Sequence, residues 1–374
     1  MTLPGLSARD YASLAPFQWP RPRGAAPSET RFFADGRFYH PDRKARFIPT
    51  PFRHPSTAPS VRRLLTLNTG RIRDQWHTMT RSAKSARLMA HVCEPFVEIH
   101  PADSEAVGVN AADLALVDSE KGRAVLRVVV TERQRRGSLF APMHWTDQFA
   151  SNARVDALIA SATDPISGQP ELKNTSVAVR RFAASWHGFA ASVRRVATEG
   201  ADYFALAPAK GGWRVELAGM SAPGDWTEFA RRTLALESGD DLLGYRDEAS
   251  GRHRFAAFRQ DRFCGALFVE RGPVAAARVW IADLLGQNIA PAERLPLLLG
   301  RPGSESRDRG PIVCACFDVG RNEIVEAVAS GKSRTVADIG ARLGAGTNCG
   351  SCRGEINRLI DGANACRKAG SRFV

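Results

Sequence analysis

The stretch LNTGRIRDQWHTMTR (residues 67–81) decides which fold the sequence predicts. It continues an apolar run that contains Leu64, Leu65 and Leu67, which is typical of a buried strand ending at Thr69-Gly70-Arg71. At such a turn, glycine lets a ligand approach the backbone, threonine offers a hydroxyl group and arginine offers a two-pronged donor for phosphate. Taken alone, the stretch fits a surface turn followed by a core tryptophan at least as well as it fits a phosphate site.

The region around this stretch, residues 64–182, alternates short apolar runs with turn signals. The apolar runs are residues 96–99, 114–117 and 125–130, and Lys121-Gly122 marks a turn between two of them. Short strands separated by turns predict a β-rich barrel or sandwich.

The rest of the chain divides into segments that differ in composition and in predicted secondary structure. Residues 1–58 are rich in Pro and Arg and predict a connecting arm, whereas residues 186–300 predict a small α+β module. In that module we expect a hairpin across residues 260–262 and a helix over residues 273–285 with Pro273 in its first turn. A polar linker, residues 301–310, then leads into a helical segment, residues 311–366. The helices predicted there span residues 322–329, 335–343 and 350–360.

Four of the seven cysteines form two tight pairs near the C-terminus. They are Cys314, Cys316, Cys349 and Cys352, and 32 residues separate one pair from the other. Four thiolates can hold a [2Fe–2S] cluster, two per iron, or one tetrahedral Zn²⁺. Cys349 and Cys352 lie at the predicted start of the last helix, where free backbone N–H groups favour the thiolate form. We favour the cluster over zinc, and treat Cys93, Cys264 and Cys366 as ordinary thiols.

The Ile312-Val313-Cys314-Ala315-Cys316 motif, the following helix and the Cys349-Gly350-Ser351-Cys352 motif resemble the bacterioferritin-associated ferredoxin-like [2Fe–2S] domain. This resemblance covers about 50 residues and implies a helical domain that ligates a [2Fe–2S] cluster.

The 67–81 stretch resembles the dinucleotide-binding domain of the molybdopterin oxidoreductases, in particular the nitrate reductases. Further motifs follow in the order typical of that family, and they occupy residues 98–103, 108–117, 140–152 and 164–173. The resemblance implies a double-psi β-barrel over residues 59–183 that grips the guanine dinucleotide part of a bis-molybdopterin cofactor. By motif position it assigns cofactor contacts to Thr69, Gly70, Arg71, Trp76, His77, Thr78, His144, Asn152 and Lys173. Asp156 stands where relatives carry an asparagine, and an acid near pyrophosphate would repel it.

Residues 186–300 resemble the small C-terminal domain of flavin-linked pyridine nucleotide reductases and nitrite reductases. No flavin-binding loop accompanies this likeness, so we expect no flavin on this chain. The fold class expected for the whole chain is multi-domain and β-rich with added helices: a double-psi barrel, a small α+β module and a helical [2Fe–2S] domain.

Charge and hydropathy limit the expected partners and location. Lys and Arg outnumber Asp and Glu by 52 to 39, which favours an acidic partner, but the basic residues are dispersed, so we expect no nucleic acid. No apolar run reaches the length of a membrane span, and residues 1–17 lack the pattern of a signal peptide, so we expect a cytoplasmic protein.

Together these resemblances imply the C-terminal part of a molybdenum-dependent assimilatory nitrate reductase, which relays electrons from a ferredoxin, a flavodoxin or an NADH-dependent flavoprotein. The molybdenum ligand and an upstream [4Fe–4S] site would belong to an N-terminal catalytic region or chain, so no catalytic residue is assigned here. Two alternatives remain open. One is a non-catalytic electron-transfer or cofactor-binding module, and the other is a zinc-stapled interaction domain.

Overall fold

The structure, a computed structural model, describes residues 7–18, 31–55, 60–303 and 308–370. The chain forms two compact units, Met1–His54 and Pro55–Val374. The first contains one short helix, α1 (Ala8–Ala12), whose N-terminus is capped by the Ser7 hydroxyl group, and it buries none of its residues. Among the described residues, no helix is both long and apolar enough to span a lipid bilayer.

The second unit begins with a closed six-stranded barrel, which confirms the predicted β-rich barrel. Its strands are β1 (Leu65–Gly70), β2 (Phe96–Ile99), β3 (Leu114–Asp118), β4 (Arg123–Val130), β5 (Ser138–Pro142) and β6 (Thr175–Arg181). Two short helices, α2 (Ala86–Met89) and α3 (Pro101–Val107), lie between strands. The order around the barrel is β1-β5-β2-β4-β3-β6, and the β1–β5 and β2–β4 pairs are parallel.

Alternation along β1 explains how the barrel presents its first predicted site residue. Leu65, Leu67 and Thr69 are buried, and the residues between them are more exposed. Because successive side chains of a strand point to opposite faces, Thr69 is directed inward by the same register that buries the two leucines. Leu67 packs there with Val97, Leu126 and Leu139.

A six-stranded antiparallel sheet follows the barrel. Its strands are β7 (Trp186–Ser192), β8 (Tyr203–Ala209), β9 (Gly212–Gly219), β10 (Asp241–Asp247), β11 (Arg252–Arg259) and β12 (Arg262–Glu270), in the order β10-β11-β12-β7-β9-β8. The helix α4 (Trp226–Thr233) packs on one face through Trp226 and Phe229. The predicted hairpin is confirmed, because Arg259 pairs with Arg262 across the β11–β12 turn.

The helix predicted over residues 273–285 is shorter than expected. Only α5 (Arg278–Asp283) is helical, and α6 (Arg294–Leu299) follows it. The missing first turn is held in another conformation, because Val274 is buried in the core of the sheet and the Ala277 amide donates to the Gly300 carbonyl group. Tertiary packing therefore overrides the helical preference of the alanines in this segment.

The last segment is helical, as predicted. It contains β13 (Ile312–Cys314), β14 (Val319–Gly320), α7 (Arg321–Ala329), α8 (Val336–Leu343) and α9 (Arg353–Gly370). The predicted helix over residues 350–360 begins three residues later and extends further. Ile324, Ile339 and Ile356 form the core that joins these three helices.

Candidate cofactor sites

The four paired cysteines come together at one end of the helical segment. Cys314 ends β13 and Cys352 directly precedes α9, and both are buried; Cys316 is half-buried and Cys349 is exposed. The Sγ atoms of Cys316 and Cys349 lie 3.4 Å apart, and the Cys314 thiol neighbours the Cys352 thiol. All four line a cavity of about 340 Å³.

The arrangement of these thiols fits a binuclear cluster. The thiols are grouped as Cys316 with Cys349 and Cys314 with Cys352, and all four line one cavity. A [2Fe–2S] cluster needs four cysteine thiolates, two on each iron. The donor set, its pairing and the cavity therefore suit such a cluster.

Cys349 and Cys352 differ in acidity. Burial, together with the neighbouring Cys314 thiol, raises the pKa of Cys352 to about 11. Hydrogen bonds from the side chain and backbone of Ser351, and from Cys316, lower the pKa of Cys349. Because only thiolates ligate metal, Cys352 must release a proton on binding, whereas Cys349 loses its proton more readily.

A second group of predicted residues meets where β1 and β5 end. Gly70 pairs with Pro142 across these strands, and the Thr69 hydroxyl group donates to the Leu172 carbonyl oxygen at 2.7 Å. The Lys173 ammonium group donates to the Thr69 carbonyl oxygen. Thr69, Gly70 and Lys173 are thus brought together from positions about a hundred residues apart in the sequence.

Gly70 has a packing role that the sequence did not indicate. A Cβ atom built on Gly70 would lie 2.7 Å from Cε2 of Phe140, which is closer than Cβ atoms normally come to a neighbour. The glycine therefore allows the Phe140 ring to lie against the end of β1, as well as leaving the backbone accessible.

The turn after β1, residues 71–78, carries four further predicted residues and is called the 71–78 loop. Arg71, Trp76, His77 and Thr78 are all exposed on it. The rings of Trp76 and His77 meet edge to face with centroids 4.6 Å apart, and the Arg81 guanidinium group lies 4.7 Å above the Trp76 ring. The loop thus presents an aromatic and basic surface beside Thr69 and Gly70.

The His144 side chain binds the backbone of this loop at two points. It is fully buried, and its Nε2 atom accepts a hydrogen bond from the Ile72 amide at 3.0 Å. Its Nδ1 atom must then carry the proton, which it donates to the His77 carbonyl oxygen at 2.8 Å. Burial lowers the pKa of His144, which agrees with a neutral ring. Both ring nitrogens are engaged with the loop backbone, so the structure gives His144 a positioning role.

Asn152 makes its backbone hydrogen bond to another strand of the barrel. It adopts a left-handed backbone conformation, and its carbonyl oxygen accepts a hydrogen bond from the Val125 amide of β4 at 2.7 Å. Within the described ranges, no hydrogen bond or ion pair joins it to Thr69, Gly70 or Lys173. Asp156 is exposed in the short turn that follows.

Sequence reasoning missed the residues that connect the two sites. Arg73, Asp74, His91 and Glu355 form a network of charges between the 71–78 loop and α9. Arg87 also donates to the carbonyl oxygen of Cys316. Arg73 and Asp74 lie inside the quoted 67–81 stretch, but nothing in the linear sequence associates them with His91 or Glu355.

Comparison with known families agrees with both sites. Residues 65–176 match the family described as the molybdopterin dinucleotide binding domain, and residues 312–362 match the BFD-like [2Fe-2S] binding domain. The first match contains the β1 end and the 71–78 loop, and the second contains all four paired cysteines.

Similar proteins include several reductases. A nitrate reductase of Klebsiella oxytoca is 37% identical over an alignment of 374 residues. That alignment covers 96% of this chain and 40% of that protein. The assimilatory nitrate reductase catalytic subunit of Bacillus subtilis (strain 168) is 34% identical over 163 residues, or 43% of this chain and 22% of that protein. Among solved structures, the acetylene hydratase of Pelobacter acetylenicus aligns with a TM-score of 0.29 and 17% identity, covering 32% of this chain and 18% of that one. The chain spans two fifths or less of the length of these relatives.

Proposed function

We propose that this chain, which carries a molybdopterin dinucleotide-binding domain followed by a BFD-like [2Fe-2S] domain, is the electron-receiving C-terminal part of a molybdenum-dependent assimilatory nitrate reductase. The observation that carries the proposal is the presence of both cofactor sites in one compact unit, Pro55–Val374. The similarity to a nitrate reductase along nearly the whole chain supports the choice of substrate.

In such an enzyme, a bound [2Fe–2S] cluster supplies single electrons, and the molybdenum cofactor supplies the reaction NO₃⁻ + 2 H⁺ + 2 e⁻ → NO₂⁻ + H₂O. The four paired cysteines of this chain would hold the cluster through their thiolates. Each turnover needs two electrons, which must enter one after the other from an external donor.

The β1 end and the 71–78 loop hold the dinucleotide. Arg71 is exposed, and among the described residues no acidic side chain pairs with it, so its guanidinium group is placed to bind a phosphate or pterin oxygen. Lys173 adds a second positive charge beside Gly70. Trp76 and His77 offer ring surfaces next to these cations, and Thr69, Gly70 and Thr78 complete the set. His144 acts through the loop backbone, and Asn152 is proposed as a further cofactor contact.

The donor would reach the cluster from the side of Cys316 and Cys349, because that pair is the more exposed one. A ferredoxin, a flavodoxin or an NADH-dependent flavoprotein is the kind of donor proposed, and the net charge of +13 favours an acidic protein surface. The remaining part of the active site, including the molybdenum ligand, would come from an N-terminal catalytic region or chain.

The finer architecture belongs to the same proposal. The two parallel pairs β1–β5 and β2–β4, joined by the antiparallel β2–β5 pair, support a double-psi barrel. We also keep the division into an arm (residues 1–58), the barrel (59–183), a reductase-like module (186–300) and the cluster domain (311–366), together with a cytoplasmic location.

Metal analysis tests the central part of this function. After anaerobic reconstitution with iron and sulfide, the purified chain should be brown and contain about two irons and two sulfides per molecule. A Cys349→Ser chain, treated in parallel, is the matched control and should bind less iron. About one zinc per chain with no visible absorbance would instead support the zinc-stapled interaction domain.

A further inference from the structure

Arg73 connects three segments that are far apart in the sequence. Its Nη1 atom donates to the Asp74 carboxylate at 2.8 Å and to the Val313 carbonyl oxygen at 2.9 Å. Its Nη2 atom donates to the Glu355 carboxylate at 2.6 Å and lies 2.7 Å from Nε2 of His91. Val313 and Glu355 are 240 and 282 residues away from Arg73, so a single guanidinium group links the barrel to the cysteine domain.

The partners of Arg73 stand next to both cofactor sites. Val313 directly precedes Cys314, and Glu355 lies in the first turn of α9, three residues after Cys352. On the other side, Arg73 is itself a member of the 71–78 loop, between Arg71 and Trp76. Asp74 also lines the cysteine cavity, and Arg87 donates to the Cys316 carbonyl oxygen from the same side. The 71–78 loop therefore forms part of the wall of the cysteine cavity.

The network is shielded from solvent, which makes it sensitive to the loss of one member. The side chains of Arg73, Asp74 and His91 are 18%, 12% and 14% exposed, and that of Glu355 is 29% exposed. Without the guanidinium group, the Asp74 and Glu355 carboxylates would face each other across His91 with no permanent positive charge between them. Removing one partner from a partly buried ion pair leaves the others uncompensated, which is strongly unfavourable.

Arginine is suited to this place and lysine is not equivalent. The guanidinium group is planar and carries five N–H donors, so it can serve carboxylates and a backbone carbonyl oxygen at the same time. A lysine ammonium group would keep the charge but could not reach all of these acceptors in the same geometry.

We propose that Arg73 is a positioning residue that clamps the [2Fe–2S] domain against the 71–78 loop, so that electrons pass between the cluster and the molybdopterin site across a fixed, short gap. This proposal rests on the proposed function, because it assumes that both cofactors are bound and that the cluster is the electron entry point. In this role Arg73 acts through Val313, Glu355 and the loop backbone.

The test uses the complete holoenzyme that contains this chain, in five forms: unmutated, Arg73→Ala, Arg73→Lys, Cys349→Ser and Lys84→Ala. Lys84 is an exposed cation of the same region outside the network, so its replacement is the matched control. Nitrite formation is measured with the protein donor and with a small viologen-type dye. Iron and molybdenum contents, and amide hydrogen exchange in peptides covering residues 312–316 and 353–357, are measured on the same samples.

For Arg73→Ala we expect donor-driven nitrite formation to fall at least about tenfold. Dye-driven formation and both metal contents should stay near those of the Lys84→Ala enzyme. Amide exchange should rise in both peptides, because the clamp no longer holds them, and Arg73→Lys should be intermediate in both measurements. The exchange measurement and the lysine variant keep the test decisive if the alanine variant folds poorly.

Three results would overturn the clamp. The first is unchanged exchange together with unchanged donor-driven turnover in Arg73→Ala, and the second is an equal fall of both activities with loss of either metal. The third separates the clamp from the function on which it rests. If Cys349→Ser loses donor-driven turnover while Arg73→Ala keeps it, the relay stands and only the clamp fails; if Cys349→Ser keeps it, the proposed relay fails, and the clamp fails with it.

Discussion

The Nε2 atom of His144 accepts a hydrogen bond from the amide of Ile72 at 3.0 Å, so a buried neutral imidazole fixes the start of the 71–78 loop. The second ring nitrogen donates to the His77 carbonyl oxygen and fixes the end of the same loop. One side chain on the segment after β5 thus sets the shape of the surface that carries Arg71, Trp76 and His77.

From this relationship we expect His144→Ala to loosen the 71–78 loop. The Ile72 amide would lose its partner inside the protein, and leaving a buried donor unpaired costs about 1–3 kcal/mol in the free energy of unfolding. Molybdenum retention in the holoenzyme should fall as well. Chemical denaturation measures the first effect and metal analysis the second. Met143→Ala, at the exposed neighbouring position, should be nearly neutral; equal effects of the two variants would contradict this role.

Gly70 offers a test of packing at the end of β1. Gly70→Ala should destabilise the barrel by about 1–3 kcal/mol, because the new Cβ atom would lie 2.7 Å from Cε2 of Phe140 and force the ring to move. Gly224→Ala is the matched control, since no atom lies within 4 Å of a Cβ atom there. Urea denaturation of both variants measures the difference, and a Gly70→Ala protein as stable as the control would show that Phe140 yields freely.

The sequence predicted those elements of the fold that depend on interactions between residues close together in the chain. Strands β1 to β4, the β11–β12 hairpin and the helices α7 and α8 rest on local alternation and helical periodicity, so they were predicted within a few residues, whereas α9 continues to Gly370, past its predicted end at residue 360. The pairs of cysteines were recognised because each pair is local in sequence. The helix over residues 273–285 was wrong in its first turn, since the buried Val274 and the Ala277–Gly300 hydrogen bond are tertiary effects.

The candidate sites show the same limit. Thr69, Gly70, Arg71, Trp76, His77 and Thr78 belong to one continuous motif, and the structure keeps them together. Nothing in the linear sequence indicates that His144 serves the loop backbone, because that role depends on a contact across 72 residues and on which ring nitrogen carries the proton. The link from Arg73 to Glu355 spans 282 residues, so it could be found only from the fold.

Arg71 and Lys173 provide the cations for a test of dinucleotide binding. Within the complete enzyme, Arg71→Ala and Lys173→Met should each reduce the molybdenum content, because a hydrogen bond to a charged group contributes about 1.5–3 kcal/mol. A loss of this size weakens binding roughly ten- to a hundredfold. Arg180→Ala, which removes an exposed cation from β6, is the control for charge alone. If all three variants retain the metal equally, the assignment of these two contacts is wrong.

The exposed cysteine pair gives the decisive test of the relay. In the complete enzyme, Cys349→Ser should abolish nitrite formation with the protein donor but leave most of the activity with a small viologen-type dye. Serine has nearly the volume of cysteine, but it replaces a soft thiolate with a hard hydroxyl group that binds iron poorly. Cys349 is the most exposed of the four ligands, and its side chain bonds to Cys316 and Ser351 of its own domain, so the change should leave the dinucleotide site intact. A small dye can reach the inner centres directly, whereas a protein donor must use the exposed cluster.

Donor-driven rates of the unmutated enzyme should also fall as the salt concentration rises, because the basic surface attracts an acidic donor. Cys264→Ser is the matched control for Cys349→Ser, since Cys264 is a buried thiol of the sheet core that lies outside the cluster site. Equal loss of both activities would make Cys349 a structural residue, and equal retention would mean that electrons enter the enzyme by another route.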